Sequence, residues 1–114
     1  MQPIAMVLPI RPGKTKKAKE FAKMLMTERS KEFAASEKRQ KVTKETWFLN
    51  PSEGGDVLVI YFEAADLKKA FEGFMKSKNA HDVWMKKELS AISGVDMSSP
   101  MEGPLPEQIL AYGF

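Results

Sequence analysis

His81 is the only histidine among 114 residues. Its ordinary pKa near 6.5 makes it the side chain best suited to general acid or base work at neutral pH. Tyr61 is a second candidate for moving a proton. Arg11, Glu45 and Trp47 add two opposite charges and an indole. Arg11 continues the alternation of Ala5, Val7 and Pro9, Glu45 shares the alternation of Thr43, Trp47 and Leu49, and Tyr61 shares that of Val57 and Val59. If these faces are one surface, Arg11, Glu45, Trp47 and Tyr61 form a polar cluster in an apolar cavity, as in a small-molecule pocket. Other readings stay open. His81 also fits a first-turn residue beside Asp82 that faces solvent or caps the break at Asn79. Arg11 and Glu45 also fit a structural ion pair that sets register at an interface.

Several chemistries find no support in the residues. The chain has no cysteine, which removes disulfides, thiolate metal sites and thiol nucleophiles. The single histidine has no partner, and the carboxylates show no ligand spacing, so neither a metal nor a cofactor is expected. No serine or lysine stands in a nucleophile motif, and Gly54-Gly55 belongs to a turn and not to a phosphate loop. A net charge of +3 is too small to imply nucleic-acid binding without a clustered basic face. The one cluster, Lys14, Lys16, Lys17 and Lys19, lacks aromatics and reads as a solvated helix face. An anion-binding module is the further alternative, since a bound anion relieves lysines placed at a helix start. No run approaches the ~20 apolar residues of a membrane span, and the N-terminus has no basic leader region, so a cytoplasmic protein without membrane partners is expected.

The elements that must position these residues follow from the apolar pattern. Ile4 to Ile10 and Val57 to Phe62 are apolar at nearly every position, which predicts strands of a sheet buried on both faces. A first strand over Gln2 to Ile10 meets Arg11-Pro12-Gly13. A long amphipathic helix then runs from Lys14 to around Ser36 to Arg39, with Ala18, Phe21, Ala22, Leu25, Arg29 and Phe33 on one stripe. Val42 to Asn50 and the second apolar run form an antiparallel hairpin around Asn50 to Gly55. Asp66 caps a helix, Ser77-Lys78-Asn79 breaks it, and Ala80 to Ile92 forms another that ends at Ser93-Gly94. Met24, Met26, Met75 and Met85 are expected as core filler. Residues 95–106 read as a loop. Glu107 to Phe114 reads as a last strand, or as an arm exchanged between two copies.

At this length the chain is one domain, residues 1–114. Its order of elements is the split β-α-β of an α+β, ferredoxin-like sandwich with an antiparallel sheet. In that order, in Arg11-Pro12-Gly13-Lys14, in the Phe48 to Phe62 hairpin and in the split helical region around Asn79-Ala80-His81, the chain resembles the dimeric α+β barrel superfamily. That superfamily holds cofactor-free antibiotic-biosynthesis monooxygenases, haem-degrading monooxygenases, EthD-like proteins and many small members without assigned activity. The resemblance implies a homodimer with sheet packed on sheet. It does not carry over haem degradation, because the first strand has no asparagine and His81 precedes Trp84 by three residues. The leading expectation is a homodimeric barrel protein whose lumen holds a small apolar or aromatic ligand, contacted by Arg11, Glu45, Trp47, Tyr61 and His81. The alternative is a cofactor-independent, monooxygenase-like oxidoreductase in which His81 or Tyr61 moves a proton.

Overall fold

Strand β1 (Gln2–Pro9) ends where Arg11-Pro12-Gly13, with Gly13 at φ +80°, turns the chain into helix α1 (Thr15–Met26). In this computed structural model residues 1–100 and 103–113 are described. The stripe Ala18, Phe21 and Leu25 is buried as its spacing requires. The single long helix expected here is two. Thr27 turns its hydroxyl onto the Lys23 carbonyl at 2.8 Å, and the Met24 carbonyl accepts the amides of both Thr27 and Arg29. That local competition with the helical ladder ends α1, and α2 (Ser30–Arg39) starts on a new axis.

The hairpin forms as expected, from β2 (Val42–Asn50) and β3 (Val57–Ala64). Asp66 accepts the amide of Lys69 and starts α3 (Leu67–Lys76). Asn79 accepts the amide of His81 and starts α4 (Ala80–Ser93). Gly94, at φ +77°, supplies the left-handed residue that closes α4.

The three strands form one antiparallel sheet in the order β1-β3-β2. The fold is thus α+β, and its split β-α-β order is compatible with a ferredoxin-like fold. Rows run across all three strands. Ile4, Phe62 and Glu45 align, as do Met6, Ile60 and Trp47, and Leu8, Leu58 and Leu49. These rows face the helices and, with Phe21, Leu25, Met85, Leu89 and Ile92, make the core. Burying each such large side chain stabilises the fold by about 1.5–3 kcal/mol. Met85 belongs to this core and Met24 and Met75 are half-buried, but Met26 is exposed, because it lies at the break between α1 and α2.

Pairing in the hairpin slips between Val42 and Lys44, so Thr43 is an extra residue in β2. This bulge gives Val42 and Glu45 the same face, which simple alternation does not. The opposite face of the sheet carries Ala5, Val7, Val59, Tyr61, Thr46 and Phe48, and among the described residues no helix covers it.

Residues 103–113 form no strand, and Phe114 lies outside the described residues. The ladder geometry gives a reason. Ile10 donates toward the β3 side, to the Asp56 carbonyl, so Pro3, Ala5, Val7 and Pro9 direct their backbones to the free edge of β1. Two of those four positions are proline and have no donor. Pro104 and Pro106 remove donors from the arm as well. No helix among the described residues is long and apolar enough to cross a membrane.

Candidate functional site

The sheet divides the five predicted site residues. Glu45 and Trp47 stand on the helix side, because they pair with Phe62 and Ile60, while Tyr61, paired with Thr46, stands on the uncovered side. His81 lies in the first turn of α4. Arg11 is at the other end of that helix, its amide donating to the Ile92 carbonyl at 2.8 Å. Eleven residues of helix rise between them, about 16 Å. The expected single cluster of Arg11, Glu45, Trp47 and Tyr61 therefore does not form. Arg11 and Glu45 are no ion pair either; Arg11 packs its side chain against Gly94.

On the helix side, Trp47 donates its indole N–H to Glu45 Oε2 at 2.6 Å. Glu37, reaching down from α2, adds a second carboxyl. Burial, then the charge and hydrogen bond of Glu45, push the Glu37 pKa up to about 9. Burial also raises Glu45, while the bonds it accepts from Trp47 and Glu37 pull it back. At neutral pH the pair therefore shares one proton, held by Glu37.

Asp82 is a third carboxylate in the same layer and is fully buried. It accepts from Ser36 Oγ at 2.5 Å, Ser77 Oγ at 2.6 Å and Arg39 Nη2 at 3.0 Å. Burial pushes its pKa up, but these three donors outweigh it and hold the group below the ordinary carboxylate range. Nearby Lys86, also buried, donates to the carbonyls of Met75 and Ser77 at 2.8 and 2.9 Å, closing the C-terminal end of α3 with a cation.

His81 is 4 % exposed, and neither ring nitrogen has a hydrogen-bond partner among the described residues. The solvent-facing reading of this residue is thereby corrected. Its backbone amide joins the Asn79 cap, but the ring turns inward. An aromatic chain encloses it: His81 to Trp84 at 5.7 Å, Trp84 to Phe21 at 5.2 Å, and Phe21 to Trp47 at 6.0 Å. Arg29 closes the outside, its guanidinium 3.8 Å from the Trp84 ring centre and 3.0 Å from Glu32. Glu32 also stands 3.6 Å from His81 Nδ1. Burial lowers the His81 pKa against the opposing pull of Asp82 and Glu32, so the imidazole is neutral at pH 7.

The uncovered face holds a smaller polar pair. Tyr61 donates its hydroxyl to Glu63 Oε2 at 2.7 Å, and this bond raises the phenol pKa. Residues 106–108 of the C-terminal arm pass beside Pro3, Ala5 and Tyr61 and leave a cavity of about 130 Å³. The row Val7, Val59 and Phe48 lies next to Tyr61. Val7 is 63 % and Phe48 60 % exposed.

A third place is the open groove of about 410 Å³ between Arg11, Gly13 and the hairpin turn. Thr15 at the start of α1 donates to Asp56 Oδ2 at 2.7 Å. The negative charge that the lysine-rich helix start favours thus comes from the chain itself. Among the described residues no group of three or more His, Cys, Asp or Glu is arranged to hold a metal.

Reasoning from the sequence missed Glu37, Asp82 and Glu63. Glu37 follows Phe33 by four residues and so extends the buried stripe. Glu63 follows Tyr61 by two, on the same strand face. Both spacings were available signals; the partners of Asp82, 43 and 46 residues away for Arg39 and Ser36, were not.

Among the described residues a three-stranded antiparallel sheet, four helices packed on one face and a buried carboxyl layer between them define an α+β class. The chain belongs to the family of unknown function DUF6176, whose family model matches residues 1–96, a span that takes in all seven elements. No curated protein and no solved structure matches the chain.

Proposed function

We propose that the protein works as a homodimer of the α+β barrel type, with the uncovered sheet faces of two copies turned toward each other around a small lumen. The observation that carries this reading is the Val7, Val59 and Phe48 row, an apolar stripe across all three strands whose outer members Val7 and Phe48 stand exposed among the described residues. Exposed apolar patches of this kind mark interaction surfaces.

Within that lumen, Tyr61 and Glu63 are the polar contacts. The Tyr61 hydroxyl gives its proton to Glu63, so the pair presents oxygen acceptors to a ligand. The ligand class that fits is a small apolar or aromatic molecule carrying one N–H or O–H donor. The monooxygenase-like reading draws less support. Tyr61 is held in its protonated form, and the His81 ring is buried on the far side of the sheet.

Light scattering at micromolar concentration tests the dimer, with twice the 12.8 kDa chain mass expected. V59K places a charge in the middle of the stripe and gives a monomer with unchanged tryptophan fluorescence, since Trp47 and Trp84 lie on the helix side. A monomeric parent protein overturns the reading. An apolar dye such as anilinonaphthalene sulfonate binds the dimer saturably and loses its site in V59K. A dimer that takes up no dye removes the ligand from the proposal.

A further inference from the structure

Among the described residues the C-terminal arm holds large apolar side chains out in the solvent. Leu105 is 38 % exposed, and Ile109, Leu110 and Tyr112 are 91 %, 81 % and 94 % exposed. Side chains of this size rarely stand fully in water together. The arm leaves the domain on the uncovered sheet face, because Pro106 to Gln108 pass beside Ala5 and Tyr61. Its own Val7 is only two strand residues from Ala5, yet the arm does not lie down on it; both surfaces stay bare.

A second copy brings these two surfaces together. We propose that the arm of one protomer crosses to the other, so that Ile109, Leu110 and Tyr112 seat on the facing Val7, Val59 and Phe48 row and close the lumen beside Tyr61. This rests on the homodimer reading and adds a partner-supplied wall to its ligand site.

Reach and area both favour it. The five residues from Ile109 to Gly113 span up to about 17 Å when extended, and packed sheets stand about 10 Å apart. Three strands about 4.8 Å apart and eight residues long offer a footprint of about 400 Å². Stable interfaces bury about 800 Å² on each partner. Two crossing arms, each with three large apolar side chains, supply the missing contact.

The chain has no cysteine, so engineered thiols report on this arrangement cleanly. V7C and L110C, made singly, mixed to exchange subunits and oxidised with diamide, are expected to give a covalent dimer on a denaturing gel, while each single variant alone does not. The double variant V7C/L110C also runs at dimer mass. If it instead closes an intrachain disulfide at monomer mass, or if the mixture gives no cross-link, the crossing arm is overturned. Light scattering of the untreated protein separates the two failures, because a dimer without cross-links refutes the arm alone and a monomer refutes the dimer itself. Deleting residues 104–114 is expected to raise the dimer dissociation constant at least tenfold, with the far-ultraviolet spectrum unchanged. An unchanged dissociation constant overturns the proposal.

Discussion

Trp47 and Glu45 stand two residues apart on β2, on the helix-facing side, joined by an indole N–H bond of 2.6 Å to the carboxylate. Glu37 comes down to the same carboxyl from α2, and burial together with the charge of Glu45 keeps it protonated, its pKa pushed up to about 9. An edge strand and the helix above it thus meet around one proton.

That proton makes stability depend on pH. The Glu37 pKa stands at about 9 in the folded chain against an ordinary 4.5. A raised acid favours the folded state in full below pH 4.5, and the contribution declines as pH climbs to about 9. E37Q keeps an N–H donor for Glu45 without the proton. Its melting temperature is expected to fall less than the parent's between pH 5 and 9.5; parallel curves would show that the pair does not share a proton.

Asp82 holds three donors from two separate segments, Ser36 and Arg39 on α2 and Ser77 in the break before α4. D82A leaves two serine hydroxyls and Arg39 without their acceptor and is expected to cost about 3 kcal/mol. A urea midpoint within experimental error of the parent contradicts this. Because the folded pKa of Asp82 is depressed, its contribution is present at neutral pH and disappears as pH falls below the ordinary carboxylate range.

The lone histidine lends itself to direct titration by NMR. Burial holds His81 below 6.5, and Arg29, stacked on the neighbouring Trp84, adds a charge that repels the protonated imidazole. R29A removes that repulsion, so the pKa moves up. An unchanged or lower value in R29A excludes Arg29 as a source of the depression.

Gly94 closes α4 at φ +77°, and a Cβ there would lie 3.2 Å from Arg11 Cδ. G94A is expected to cost about 1–2 kcal/mol for the left-handed conformation, read as a drop in melting temperature of several degrees. Truncating the neighbour as well, in R11A/G94A, recovers the steric part only. If G94A melts with the parent, the helix end is not where the structure puts it.

Much of this architecture could be read from residue patterns. Unbroken apolar runs gave β1 and β3, turn-forming residues between two strands gave the hairpin, helical spacing gave α3, and the caps at Asp66 and Asn79, which start α3 and α4, have the chemistry their residues suggest. The site was less legible, for local reasons. Glu45 and Tyr61 each alternate with apolar neighbours on their own strands, yet the register that sets Glu45 opposite Phe62 and Thr46 opposite Tyr61 puts the two on different faces. Alternation within a strand does not reveal that register. Thr27 sits inside a periodic stripe and still ends a helix, because its hydroxyl competes for a carbonyl. His81 reads as exposed from its place at a helix start. Its ring is buried instead beside Trp84 of its own helix, with Glu32 of the separately directed α2 standing 3.6 Å from Nδ1.

The free edge of β1 has a consequence for solubility. An eight-residue edge strand is a template on which other chains can stack without end. With Pro3 and Pro9 at its outward positions, this one offers only the amides of Ala5 and Val7. A stacking strand finds two donors where four are needed, and open-ended growth stalls at the first addition. The same prolines that deny β1 a further partner strand leave that edge a poor template for a second chain.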